Sequence, residues 1–210
     1  EKAQGRATRA ETANWELALD TMLSLKHDIM AMQETGAGGS REDEIRVRGI
    51  IDNWSRKRGV LARTWLAGSC GFNEDGKDLR YLGGTAGGLA LVAIGSWAAR
   101  GRAARRFPNG RGLWVEFQEG SRLLCVGNVY GPSGASDRVH EEWRQTITEE
   151  RDEAEARGFS TILLGDFNCR RDPNEAGAQP SADIDAWFSS EEIVDVWRTR
   201  HRSLDGYTRQ

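Results

Sequence analysis

The stretch "GGLALVAIGSW", residues 87–97, contains six consecutive apolar residues from Leu89 to Ile94. Side chains along a strand alternate between two faces, so a strand apolar at every position must have both faces covered. Six residues cannot cross a bilayer, which takes about 20. The run therefore reads as an interior strand of a sheet clothed on both sides, which points to a layered α/β domain.

The neighbouring segments support that reading. Trp15, Leu19, Met22, Leu23 and Lys26 follow helical spacing, with Thr12 or Asn14 as possible caps. "DIMAMQE" (28–34) reads as a short buried strand from Ile29 to Met32, closing on Gln33 and Glu34, and "TGAGGS" follows as a loop. Residues 42–58 are compatible with a second helix. "LARTWLAG" is a further strand, and residues 113–117 and 123–130 form two more, joined at Glu119-Gly120. Residues 137–157 are predicted helical, with Ser136 as a possible cap and Gly158 as a stop. The acidic tract "EERDEAEAR" within them reads as a solvated face with internal pairs. "STILLGDFN" is the next strand, and residues 182–188 and 192–197 hold short elements near the end. Strands interleave with helices and some strands pair as hairpins, so mixed sheets are expected.

Bulk properties narrow the function classes. The 210 residues suit one domain, or at most two small ones. A formal charge of −3 gives no global basic field, so a polyanion must be met by a local patch. Cys70, Cys125 and Cys169 are odd in number and widely spaced, as expected of free thiols in a reducing, intracellular compartment. No signal-peptide pattern opens the chain, and no membrane partner is expected. A first residue of Glu1 in place of Met is expected of a segment taken from something longer.

Three apolar strands end in polar groups: Gln33-Glu34, Asn128 with Tyr130, and Asp166 with Asn168. Each alone is an ordinary strand exit or turn, and "GDFN" alone is a turn in which Asp or Asn bonds its own backbone. Together they place oxygen ligands and amides at strand ends, where α/β proteins keep reactive groups. Carboxylates without a histidine or cysteine cluster suit a hard cation such as Mg²⁺, with Mn²⁺ as the alternative. Such a site can neutralise phosphoryl oxygens while a second carboxylate orients or deprotonates water.

In this order, "DIMAMQETG", "GGLALV", "VGNVYGP", "ILLGDFN" and "DVWRTRH" resemble the endonuclease/exonuclease/phosphatase superfamily over roughly residues 15–208. The set looks most like endonuclease domains of non-long-terminal-repeat retrotransposons. The resemblance implies a four-layer α/β sandwich, with two mixed sheets face to face and helices outside. It also implies Mg²⁺-dependent phosphodiester hydrolysis on DNA, and a nuclear location for a retroelement-derived protein. Carried over by position, Glu34 would hold the Mg²⁺, Tyr130 would contact the scissile phosphate, and Asp166 would orient or activate the attacking water. Asn168 would hold the phosphate or that acid. Asn128 is a weaker, supporting candidate, and Asp195 with Arg198 matches a structural feature.

The family pattern opens with a strand bearing an asparagine and closes with a Ser-Asp-His segment. Residues 1–210 are expected to be a single domain lacking both, completed by other domains or chains or else degenerate. His27, His140 and His201 read as surface or capping residues. Losing a comparable stabilising group costs about 10²–10³ in rate, so the 210 residues alone are expected to be a poor nuclease. Two other functions stay open: a binding or scaffold module on an inactive fold, and a phosphatase, since "GDFNCR" also resembles inositol polyphosphate phosphatases.

"AARGRAARRFPNGRG" concentrates Arg100, Arg102, Arg105, Arg106 and Arg111 between predicted strands and is the best candidate for phosphate contacts. "RTRHR" is second. The bland alternative is a hairpin loop kept soluble by charge. Trp15 and Trp143, on predicted helix faces, are expected in the core and not as base-stacking platforms.

Overall fold

A computed structural model describes residues 8–37, 40–68, 88–107, 110–132, 137–168 and 182–200. In chain order the helices are α1 (Arg9–Ser24), α2 (Arg41–Arg58), α3 (Ser96–Arg100), α4 (Asp137–Ala156), α5 (Ala182–Ser190) and α6 (Val196–Arg200). The strands are β1 (Ile29–Met32), β2 (Ala62–Ala67), β3 (Leu89–Ile94), β4 (Gly101–Arg106), β5 (Gly112–Glu119), β6 (Arg122–Tyr130) and β7 (Ser160–Asp166). The chain divides into two compact units, residues 1–130 with 150–166, and residues 131–149 with 167–210.

In the first unit, β3 is the centre of an antiparallel sheet ordered β1-β3-β2. Every residue of β3 is buried, as its composition requires. Ala90, Val92 and Ile94 face one core with Trp15, Leu19 and Met22 of α1 and Val47, Ile51 and Trp54 of α2. Leu89, Leu91 and Ala93 face a second core with Leu113, Val115, Phe117 and Val126 of the other sheet. That sheet is ordered β4-β5-β6-β7, antiparallel except for the parallel β6–β7 pair. Of the described sheets, one is therefore mixed and the other wholly antiparallel.

Apolar burial, at roughly 1.5–3 kcal/mol per large side chain, outweighs the half-buried to exposed ion pairs that join α1 to α2, at about 0–1 kcal/mol each. Those pairs are Glu11–Arg46, Glu16–Lys57 and Asp20–Arg58. Hydrogen bonds from Arg58 and from the Trp54 indole hold the Asp20 carboxyl below its ordinary pKa.

The last turns of α4 lie on the outer face of the second sheet, where Arg105 pairs with Glu150 and Glu153, and Arg157 with Glu116. Part of the acidic tract is thus a docking face as well as a solvated one. Two sheets with helices on both outer faces form the expected α/β sandwich.

Two local expectations change. Helix α1 starts at Arg9 and is capped by Thr8, whose hydroxyl accepts from the Glu11 amide at 3.1 Å, not by Thr12 or Asn14. Residues 101–106, within the arginine-rich segment read as lying between strands, are themselves edge strand β4. Gly101 makes this possible, because a Cβ there would lie 2.2 Å from the Trp65 ring. Ser136, the expected cap of α4, lies outside the described residues.

The second unit is organised by an aromatic cluster of Trp143, Phe167, Trp187 and Phe188, with adjacent ring centroids 5.3–6.5 Å apart. The Trp187 indole donates to the Thr148 hydroxyl at 3.1 Å, tying α5 to α4. Trp15 and Trp143 are both buried.

Candidate active site

Strand β1 leaves its sheet at Met32, and the next two residues turn toward β6. Glu34 is exposed and sits at φ 55°, a left-handed conformation that costs a non-glycine residue about 1–2 kcal/mol. Such strain persists only where the surroundings over-determine it. On one flank, Gln33 Nε2 donates to Asn128 Oδ1 at 2.6 Å. On the other, the Thr35 amide donates to the Gly88 carbonyl at 3.0 Å. Gly88, at φ 95°, packs so closely on this loop that a Cβ would lie 2.6 Å from the Ala37 carbonyl oxygen. The Glu34 carboxylate itself accepts a short hydrogen bond from the Tyr130 hydroxyl.

Asn128 is fully buried, and its Nδ2 donates to the Met32 carbonyl at 3.0 Å and the Ala90 carbonyl at 2.9 Å. Its amide thus satisfies two backbone groups of the first sheet and the Gln33 side chain at once. Parallel pairing of β6 with β7 sets Tyr130 opposite Asp166 and Asn128 opposite Leu164. Paired residues share a face, so Asp166 stands beside Tyr130 on the face toward the first sheet. Strands β1 and β7 also come into contact. The ends of β1, β6 and β7 therefore bring together an acid, a phenol and an acid.

Arg111 adds positive charge here. Its guanidinium lies 5.3 Å from the Tyr130 ring centroid, and its Nη1 donates to the Tyr130 carbonyl at 3.4 Å. Burial lowers the Arg111 pKa, partly offset by Tyr130, but an arginine stays charged. Asn168, also at positive φ (49°), belongs to the second unit, where its Nδ2 donates to the Gly131 carbonyl at 2.7 Å.

The other arginines are engaged differently. Arg100 pairs with Glu119 at 2.5 Å and stacks on Trp97. Arg105 pairs with Glu150 and Glu153, and Arg106 with Glu44 at 2.9 Å. Arg102 is exposed on β4. Among the sequence candidates, Glu34, Tyr130 and Asp166 converge with Arg111, while Arg100, Arg105 and Arg106 bind carboxylates of their own chain.

Sequence reading noted Gln33 only as part of a strand exit and missed the Arg111–Tyr130 contact. No local signal pairs Gln33 with Asn128, 95 positions away, or Arg111 with Tyr130, 19 positions away. His27 is exposed just beyond α1, His140 is half-buried on α4, and His201 lies outside the described residues. Cys125 is a buried free thiol, and Cys70 and Cys169 lie outside the described residues. Asp195 immediately precedes α6, its carbonyl accepting from the Thr199 amide at 3.0 Å.

The donor set fits a hard cation. Tyr130 occupies Oε1 of Glu34, which leaves Oε2, with Asp166 as a second oxygen source beside it. Mg²⁺ takes one or two carboxylates from a protein and keeps waters for the rest. Among the described residues, no group of three or more His, Cys, Asp or Glu stands together. None of the described helices is long and apolar enough to cross a membrane.

No family model matches the sequence, and no curated protein does. Solved structures do match. An AP endonuclease from Archaeoglobus fulgidus aligns at TM-score 0.62 and 15% identity, over 93% of this chain and 72% of that one. The AP endonuclease LMAP from Leishmania major aligns at TM-score 0.58 and 17% identity, over 90% of this chain and 64% of its own. A humanized D. rerio TDP2 aligns at TM-score 0.50 and 11% identity, over 93% and 73%. At these identities the likeness is one of fold. The chain shares its fold with the two AP endonucleases, the layered α/β fold that its ordered motifs predict.

Proposed function

We propose that this chain is a phosphodiester-hydrolysing domain that acts on DNA with Mg²⁺, Mn²⁺ being the alternative, and is of the endonuclease type found in retroelements. The observation that carries this reading is the meeting of Glu34, Tyr130 and Asp166 at the ends of β1, β6 and β7. The fold shared with the two AP endonucleases supports it, and the retroelement assignment rests on "NVYGPS" and "DVWRTRH".

In this reading Glu34 holds the cation, which would offset charge on the phosphoryl oxygens. Tyr130 exchanges its hydrogen bond to Glu34 for one to a non-bridging phosphate oxygen. Asp166 orients the attacking water and accepts its proton. Arg111, charged and close to Tyr130, favours the anionic substrate, and Arg102 contacts the DNA backbone farther out.

The test is nicking of supercoiled plasmid in Mg²⁺, followed long enough to score the slow rate expected of the 210 residues alone. Asp166→Ala is expected to lower the rate by about 10²–10³, the scale of losing one transition-state-stabilising group. Nicking unchanged by Asp166→Ala would overturn the site assignment. DNA binding without nicking would favour a scaffold on an inactive fold. Phosphate release from inositol phosphates would favour a phosphatase.

A further inference from the structure

We infer that Gln33 is a positioning residue for Glu34, acting with Asn128 as a clamp that holds the strained β1 exit in a metal-binding conformation. The inference rests on the reading of Glu34 as the cation ligand. Three features carry it. Asn128 is fully buried and bonded on both sides of its amide, to Met32, Ala90 and Gln33, so it has no freedom to turn. The 2.6 Å bond from Gln33 therefore anchors the residue immediately before Glu34 to an immobile point. Glu34 lies at φ 55°, so without anchors on its flanks the backbone would relax toward ordinary conformations and carry the carboxylate away.

The Thr35–Gly88 bond fixes the other flank of the same turn. Tyr130 bonds the carboxylate itself, in the position that the clamped backbone gives it. A partner standing behind a metal ligand in this way typically contributes tenfold to a hundredfold in metal affinity.

Mn²⁺ serves as the probe, with free Mn²⁺ counted by electron paramagnetic resonance on the full chain. Gln33→Met keeps the length of the side chain and removes its donor. It is chosen because Asn128→Ala leaves several buried groups unpaired and can fail to fold. Gln33→Met is expected to weaken Mn²⁺ binding about tenfold in a folded protein whose thermal midpoint falls moderately, since the buried Asn128 Oδ1 loses this donor. Glu34→Gln is expected to weaken it at least as much, and the Gln33→Met/Glu34→Gln double variant no further than Glu34→Gln alone. Mn²⁺ binding that Gln33→Met leaves unchanged while Glu34→Gln weakens it overturns the positioning role and leaves the proposed function standing. Additive losses in the double variant overturn it as well, since Gln33 would then act independently of Glu34. Binding that Glu34→Gln leaves unchanged overturns the metal reading of Glu34 and the inference with it.

Discussion

At Glu34 and Cys125 the surroundings of one side chain decide what it can do. Glu34 is exposed but conformationally fixed, a pairing suited to a group that must meet a ligand in a set geometry. Cys125 is the opposite case, a buried thiol pushed up to about 12, first by burial and then by Glu116. Below its unfolded value of 9.0 the thiol is neutral in both states, so its contribution to stability is complete there. Between pH 9 and 12 the unfolded chain ionises and the folded chain does not, so stability falls as pH rises. Urea denaturation of the parent chain should therefore lose about 1.4 kcal/mol more per pH unit in that window than Cys125→Ala does. Equal alkaline slopes in the two proteins would show that Cys125 is not held neutral. The residue types of the candidate site, Glu34, Tyr130 and Asp166, were legible because strand ends are visible as apolar runs meeting polar groups. Their conformations were not, since nothing in "MQET" signals a positive φ.

Helix α1 and strand β4 show where reading by element succeeds and where it stops. The helical period begins only at Trp15, because the first turns of α1 face solvent. Periodicity therefore places the start too late, and the true cap is Thr8. Removing that cap with Thr8→Ala should lower stability to urea by about 1 kcal/mol. Asn14→Ala, at an exposed interior position, should leave stability unchanged or raise it by up to about 0.7 kcal/mol. The reverse ranking would place the cap at Asn14. β4 is disguised differently. Its arginines suit an edge strand, where charge deters pairing with other chains, but in sequence the same arginines resemble a loop. Only the pairing with β5 makes residues 101–106 a strand.

Across the first unit, the exposed Arg63 and Arg106 bridge β2 and β4 through backbone carbonyls, and one fully buried side chain joins the two sheets from inside. Thr64 and Asn128 are the buried polar side chains among the described residues, and Asn128 reaches from β6 to β1 and β3. Asn128→Ala leaves the Met32 and Ala90 carbonyls and the Gln33 amide without this partner. At about 1–3 kcal/mol per unsatisfied buried group, the loss should reach at least about 3 kcal/mol by urea denaturation. A loss under about 1 kcal/mol would mean that water or rearrangement satisfies those groups. The sequence by itself determined the layers: the six apolar residues of β3 demand cover on both faces, and the alternation and periodicity of the flanking segments supply it. Tertiary structure alone decided which polar strand ends meet. Contacts such as Gln33–Asn128 and Glu34–Tyr130 span 95 and 96 positions. They depend on sheet order and strand register, and these follow from how two whole sheets pack, which no local pattern encodes.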